Sequence, residues 1–575
     1  MLHLWLQAGL ALLATFLLSI AAGRYLSRVV TDQKTLLDPL FKPIDNVIYR
    51  IVGKNTCSQP MNWKKYTINM LATNLVMALL IYLILILQNH FPLNPLKLSG
   101  MEPLQAFNTA ISFITNTNWQ SYAGENTLSN FSQMAAITFP MFTSAATGFV
   151  VAIAFIRAFL VQGGNDNLGN FYRDMTRFIT RVLLPVAIIA ALFLVWQGVP
   201  ETLNASTVVN TVQGGHQTLI LGPVAAQESI ENFGTNGGGF YNVNAAHPFQ
   251  NPNPLTNMVL LLLMASLPAA LVVMFGCMIN NRRQSWVIYG VMAVMLIGFL
   301  IFTVLPEQAG TPLLQQAGIN LHSGVGQPGG NMEGKEVRFG IALSGLYAAY
   351  TTAFTTGSVN AMHDSLTPLG SLPTMIQMML QCVFGGKGVG FLSFLIYGFI
   401  GIFVAGLMVG HTPEFMGKKI EKREIILVSL ALLIHPMVIL IPSSLSMILP
   451  FGVSALNNAG MHGYSEVLYA FTSAAANNGS AFAGLNANTP WYNLSIALVI
   501  LLGRYPPIIF LMAVAGSLAA KPTLPPSVGT LRTDTLLFGA WWLAMILIVG
   551  ALTFLPALLL GPIAEHFAMI NHQLF

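Results

Sequence analysis

Ten apolar runs decide what this chain can become. They lie near residues 3–23, 66–88, 134–156, 178–199, 255–279, 285–305, 374–409, 425–449, 491–519 and 535–561. Each is close to the roughly 20 apolar residues that a helix needs to cross a bilayer. In lipid the backbone must bond to itself, so runs of this length fold as helices. The chain is 54% hydrophobic and 8% charged, whereas soluble domains carry about a quarter charged residues. Too few charges remain to cover a water-facing surface. The expected fold class is an all-α membrane protein with ten transmembrane helices, and the lipid bilayer is its main solvent. The 374–409 run is too long for one straight helix, and Gly385, Gly386, Gly388 and Gly390 interrupt it. Cys57, Cys277 and Cys382 are far apart in or near apolar segments, which suggests neither a disulfide framework nor a metal cluster.

The first run is followed, not preceded, by its bases, Arg24 and Arg28. That is the reverse of a signal peptide, so a retained first helix is expected, with the N-terminus outside. Basic residues collect in cytoplasmic loops. With that orientation, twenty of the 25 Lys and Arg fall in inner loops, and only Lys97, Lys335 and Arg338 fall outside. Lys387 and Arg504 fall inside spans. Both termini are then outside. The net charge of +5 thus belongs to the inner loops and gives no reason to expect nucleic acid. Eleven acids, Glu102, Glu125, Glu201, Glu228, Glu231, Glu307, Glu333, Glu336, Asp364, Glu466 and Glu565, lie outside. Such an excess attracts cations, although most of these acids read as ordinary solvated loop charges.

The outer loops are more than linkers. Each holds a half-length apolar segment followed by a polar turn: Thr115-Asn116-Thr117-Asn118, Thr235-Asn236-Gly237-Gly238, Thr355-Thr356-Gly357-Ser358 and Asn477-Asn478-Gly479-Ser480. Asn118, Gly237, Gly357 and Gly479 follow one another at 119, 120 and 122 residues, and a steady period marks an internal repeat. Each unit reads as span, short helix, turn, span. The units fall at 61–160, 161–282, 283–420 and 421–522. An extra helix and basic loop at 1–60 precede them, and a last helix at 523–575 follows. Pro103 and Pro223 stand where a first helical turn accepts proline. Irregular backbone at membrane depth survives only inside protein or beside water. Four such turns on one side therefore converge on a shared aqueous axis, in a pseudo-fourfold arrangement.

A ring of backbone carbonyls can replace the water around a potassium ion. Aiming successive carbonyls at one axis takes left-handed backbone, which glycine adopts freely and asparagine more readily than most residues. Calcium or magnesium would call for several carboxylates, and the turns contain none, so a monovalent cation is favoured. Any single turn of this composition is an ordinary loop turn; four at one period are not.

On Ile114-Thr115-Asn116-Thr117-Asn118-Trp119-Gln120, Glu231-Asn232-Phe233-Gly234-Thr235-Asn236-Gly237-Gly238-Gly239-Phe240, Val359-Asn360-Ala361-Met362-His363-Asp364 and Gly503-Arg504-Tyr505-Pro506-Pro507, the chain resembles the potassium-transporting subunits of Kdp ATPases. These belong to the superfamily of four-repeat potassium transporters. The likeness runs over the whole length. It implies a bacterial inner-membrane complex with a P-type ATPase subunit, KdpB, and two smaller subunits, KdpC and KdpF. Potassium is taken up from outside and passed sideways to KdpB. It also implies the filter residues: Asn116, Thr117, Asn118, Thr235, Asn236, Gly237, Thr355, Thr356, Gly357, Asn477, Asn478 and Gly479. Gln120, Gly238, Ser358 and Ser480 lie near them. The only bound species implied is the transported K+; no covalently bound cofactor is expected. The family carries a glutamate where Gln381 aligns and no lysine at Lys387, so a gate in this region is tuned differently.

Arg504, a cation inside a span, is costly there. It either opposes straight inward flow as a plug or snorkels to an interface, and the family arginine at this place favours the plug. Pro506-Pro507 is expected to break its helix. Lys387 belongs either to a mobile Gly-rich gate or to a kink that reaches the inner interface. His435-Pro436 reads as a packed kink. Gly329 to Glu336 imitates the start of a P-loop, but Glu336 stands where Ser or Thr would bind magnesium. No Asp-Lys-Thr-Gly phosphorylation stretch and no HExxH occur. Hydrolysis therefore belongs to a partner. A self-sufficient channel or symporter of the same superfamily is the competing reading; a membrane-embedded enzyme is disfavoured.

Overall fold

The computed structural model describes residues 2–571, apart from 163–165, 205, 323, 325–327, 387, 411 and 526–529. Ten of its helices are long and apolar enough to cross a membrane. In chain order the elements that matter are α1 (Leu2–Val30), α2 (Asp38–Val52), α3 (Trp63–Ile86), α4 (Pro103–Ile114), α5 (Asn130–Leu160), α6 (Phe171–Trp196), a hairpin of β1 (Ser206–Asn210) and β2 (His216–Ile220), α7 (Val224–Phe233), α8 (Pro254–Met278), α9 (Arg282–Ala309), α10 (Gly340–Ala353), α11 (Pro368–Leu380), α12 (Val389–Val409), α13 (Lys422–Ile448), α14 (Gly460–Ala475), α15 (Pro490–Ala520) and α16 (Leu536–Ile570).

Helix starts follow local chemistry. Asn62, Asn281, Thr489 and Thr535 each accept a hydrogen bond from a backbone N–H three residues on. Asn253 and Thr256 form a reciprocal capping box. Such side chains satisfy donors that a helix leaves open at its first turn. The short helices α4, α7, α10 and α14 hold 12, 10, 14 and 16 residues. At 1.5 Å per residue none spans the roughly 30 Å hydrocarbon core. Pro103 opens α4, with Glu102 accepting from Gln105 N at 2.7 Å; Pro223 stands just ahead of α7.

The short helices are buried nearly throughout, among inner spans. The most apolar stretch of α5 is 83% buried and that of α8 72%, whereas α1, α3 and α13 are 28% buried and form the lipid-facing ring. The fold is thus all-α with four units of span, half-helix, turn and span, plus one helix at each end.

One of three expectations here holds and two need correction. The 374–409 run is two helices, α11 and α12, separated by residues 381–388. Gln381, Phe384, Gly385 and Gly388 all have positive φ there, which no helix accommodates. Conversely, Pro506 and Pro507 do not end α15, which continues to Ala520. Its neighbours hold it: Gly503 lies against the end of α14, where a Cβ would come within 2.3 Å of Ala475 O. The outer acids, thirdly, are mostly not solvated. Glu228, Glu231, Glu307, Asp364, Glu466 and Glu565 are buried, because re-entrant loops pack inward and their N–H groups need acceptors. Glu307 accepts from Thr367 N at 2.6 Å and faces Lys335 Nζ at 2.6 Å. Glu466 accepts from Asn457 N and Asn458 N, each at 3.1 Å. The hairpin β1–β2 was not legible either.

Candidate functional site: a ring of four turns

Each half-helix ends the same way. The backbone N–H of Thr117, Asn236, Thr356 and Asn478 donates to the carbonyl five residues back, on Ser112, Glu231, Thr351 and Ser473, at 3.0, 2.8, 2.8 and 2.9 Å. Within each turn the backbone then alternates. Asn116, Thr235, Thr355 and Asn477 have φ of 64°, 39°, 43° and 52°, and Asn118, Gly237, Gly357 and Gly479 have φ of 55°, 85°, 96° and 99°. Residues between them do not. Alternating left- and right-handed backbone points successive carbonyls to one side. Five non-glycine residues, Asn116, Asn118, Thr235, Thr355 and Asn477, are held in this region, which costs free energy, so the surroundings must over-determine them.

They do so by bonding each turn to the next. Asn116 Nδ2 donates to Thr235 O at 2.7 Å and Asn118 Nδ2 to Gly237 O at 3.0 Å. A Cβ on Gly237 would fall 2.3 Å from Thr356 O, one on Gly357 1.9 Å from Asn478 O, and one on Gly479 1.9 Å from Thr117 O. Turn one thus touches turn two, two touches three, three touches four, and four returns to one; Asn477 Nδ2 also donates to Thr117 Oγ1 at 3.0 Å. The ring is closed. Only glycine fits at three of the contacts; in the first turn the asparagine amide makes the contact instead.

A second layer braces the ring from behind. Ser112 Oγ accepts from Trp119 N at 2.5 Å, Thr351 Oγ1 from Gly357 N at 2.9 Å and Ser473 Oγ from Gly479 N at 3.0 Å. In the second unit this place belongs to Glu231, beside buried Glu228 on the same helix face. Tyr347 and Tyr469 hydroxyls pair with Ser358 Oγ at 2.9 Å and Ser480 Oγ at 2.8 Å. Asn236 Nδ2 reaches Asn116 Oδ1 at 2.6 Å, and Asn478 Nδ2 reaches Thr351 O at 2.8 Å. Sequence reasoning missed the hydroxyl braces. Their recurrence as Ser112, Thr351 and Ser473, five residues before Thr117, Thr356 and Asn478, was the available signal.

Above the ring opens a vestibule of about 760 Å³, lined by Asn118, Gln120, Gly238, Lys335, Glu336, His363, Gly479 and others. Gln120 Oε1 accepts from Gly239 N at 2.9 Å on its rim. Below lies a space of about 10 Å³, bounded by Asn116, Thr355, Gln381, Gly386, Asn477 and Arg504, which is room for about one water. Arg504 is buried, and no carboxylate among the described residues pairs with it. Lys387 lies outside the described residues. Gln381 and Val389 also line an apolar cavity of about 60 Å³ between α11, α12, α13, α15 and α16, against Ser393, His435 and Phe554. His435 Nε2 is bonded to Met378 O at 3.2 Å, and α13 runs on through Pro436.

The four turns offer oxygen atoms and contain no carboxylate of their own, and the ring they form is open to one side and nearly shut on the other. The family model described as potassium-transporting ATPase A subunit, KdpA, matches residues 9–567. The potassium-transporting ATPase potassium-binding subunit of Delftia acidovorans is 49% identical over 571 residues, 99% of each chain. Its counterpart in Alicyclobacillus acidocaldarius is 50% identical over 561 residues, 96% of this chain and 98% of the other. Among solved structures, the potassium transporter TrkH from Vibrio parahaemolyticus superposes with a TM-score of 0.49 at 11% identity, over 75% of this chain and 84% of that one.

Proposed function

This chain belongs to the potassium-transporting ATPase A subunit family, and on that premise we propose that it binds K+ from outside and hands it to an ATP-hydrolysing partner. The observation that carries this reading is the closed ring of four turns with paired left-handed positions in each. The turns at Asn116-Thr117-Asn118, Thr235-Asn236-Gly237, Thr355-Thr356-Gly357 and Asn477-Asn478-Gly479 are the filter. Their carbonyls replace the hydration shell of K+ as it leaves the vestibule. The hydroxyl braces Ser112, Thr351 and Ser473 hold the spacing of three turns without adding charge.

The chamber below does not let the ion run straight inward. It is about one water in size and contains Arg504, whose charge repels a cation at close range. The way left is sideways, where residues 381–388 interrupt the second span of the third unit and the cavity past His435 begins. A channel or symporter working alone would need an open lower exit; this geometry supports delivery to a neighbouring subunit. The partners are KdpB as the P-type ATPase, with KdpC and KdpF, in a bacterial inner membrane with both chain termini outside.

The test is purification of the native complex with K+- and Rb+-dependent ATPase assays. The reading expects hydrolysis stimulated by K+ only when this chain and the ATPase subunit are together. Potassium conduction by this chain alone in liposomes would contradict it.

A further inference from the structure

Helix α2 wears its polarity inside out. Its two acids, Asp38 and Asp45, are buried and turned onto Arg181 of α6. Arg181 Nε lies 3.0 Å from Asp38 Oδ1, and its other nitrogens lie 3.0 and 2.6 Å from the Asp45 carboxylate. Thr180 Oγ1 donates to Asp45 Oδ1 at 2.9 Å, and Arg181 itself is buried over the Phe41 ring. This clamp fixes which face of α2 looks outward.

That outward face is apolar. Leu40, Ile44, Val47 and Ile51 are 66%, 44%, 54% and 81% exposed. Their spacing of four, three and four residues puts them on one helical stripe. The only charged side chains that α2 leaves exposed are basic, Lys42 and Arg50. Asp32, the exposed acid just before the helix, is paired with Arg173 and Arg177. Exposed Lys34 and Lys54 extend the basic character at either end. A helix in water would turn the acids out and the leucines in. A helix with an apolar stripe and basic flanks suits a membrane surface instead.

We propose that α2 lies in the plane of the bilayer surface, with its apolar stripe sunk to the acyl boundary and Arg50 beside the stripe and Lys54 at its end binding the phosphates of anionic phospholipids. The charge balance selects this occupant. With both acids withdrawn to Arg181, the charge that flanks the stripe is the exposed Arg50, with Lys54 beyond the helix end, and its sign is complementary to a negatively charged leaflet. The position agrees, since α2 follows directly on the basic end of the first span, at Arg28. The Arg181 clamp thereby makes the helix a fixed lipid-binding strap and not a floating loop. The inference does not depend on the transport reading.

Two measurements on the full chain test it. Hydroxyl-radical footprinting is compared for the chain and for the complete complex in nanodiscs of equal parts phosphatidylglycerol and phosphatidylcholine. Ile44 and Ile51 are expected to be protected relative to exposed Asn46 in both. Binding of spin-labelled phosphatidylglycerol is then compared between the native protein and the R50Q/K54Q variant. The expected loss is about fivefold for each charge removed. The proposal is overturned if Ile44 and Ile51 are labelled as heavily as Asn46. It is overturned equally if they are protected only when the other subunits are present, which would make the face a protein interface. Undiminished phosphatidylglycerol binding by R50Q/K54Q also overturns it.

Discussion

Replacing Gly479 by alanine is the sharpest test of the ring. Gly479 has φ of 99°, and left-handed backbone costs an L-residue about 1–2 kcal/mol. The added Cβ would also sit 1.9 Å from Thr117 O, where real Cβ contacts essentially never fall under 3.0 Å. One of the two groups must retreat by about 1.1 Å, and both are backbone. Thr117 cannot give way freely, because its N–H is held by Ser112 O at 3.0 Å and its hydroxyl by Asn477 Nδ2 at 3.0 Å. The turn therefore relaxes away from the geometry that, on the proposed reading, cradles the ion. If only the strain is released in this way, K+ binding weakens about 5- to 30-fold. Displacing a coordinating carbonyl adds to the loss and lowers the preference for K+ over Rb+. The assay is ATP hydrolysis by the purified complex against K+ and Rb+ concentration. G198A is the control: Gly198 has φ of 98°, is exposed, and has nothing within 4 Å of its virtual Cβ. It carries the same backbone strain with no carbonyl to displace, so selectivity should survive. If G479A keeps the native half-saturating K+ and the native K+ over Rb+ preference, the four turns are not the filter.

Three further outcomes follow from the same geometry. Removing the buried charge in R504A should raise passive K+ leak through the complex in proteoliposomes, read by a K+ flux assay without ATP; an unchanged leak argues against the plug. Lys335 and Glu307 are a buried pair 2.6 Å apart, so K335M strands a buried carboxylate and should cost about 3–5 kcal/mol, seen as a large fall in thermal unfolding temperature; a loss under about 1 kcal/mol would place the pair in water. His462 bridges Asp364 at 3.1 Å and Glu565 at 2.8 Å; burial lowers its pKa, but the two hydrogen-bonded carboxylates outweigh that and push it up to about 10. A raised folded-state pKa stabilises fully below the unfolded value of about 6.5 and is lost as pH climbs towards 10. Native protein should therefore lose stability across that window and H462Q should lose less; equal slopes would remove His462 from the account.

The spans and the turns were readable from sequence for different reasons. Apolar length is a local property, and so is the Asn/Gly pattern of the turns, because left-handed backbone limits which residues fit. The same locality explains the failures. The ring closes through contacts such as Asn477 to Thr117, 360 residues apart, which no window on the chain reveals. Pro506 and Pro507 looked like a helix end because sequence does not show Gly503 packed on α14. Glu307 looked solvated because its partners Thr367, Asn331 and Lys335 come from separate loops that fold back over it. Glu231 stood in plain view within the family motif, yet only superposing the four half-helices shows it replacing a hydroxyl.

A single chain with four similar units can do what four identical subunits cannot. Identical subunits must break all of their second spans or none, so an exit beneath the ring would open in four directions or stay shut. Here α5, α8 and α15 pass the ring unbroken, and only the third unit divides, into α11 and α12. The one gap lies at Gln381, which caps α11 with φ of 53° and whose Nε2 donates to Ala475 O of the fourth half-helix at 3.2 Å. Arg504 closes the floor of the same chamber. Fourfold likeness supplies the ring of carbonyls, and its breaking in one unit supplies a direction. On the proposed reading, in which the ion is delivered to one neighbour, both are needed, and repeat divergence inside one chain lets the two requirements coexist.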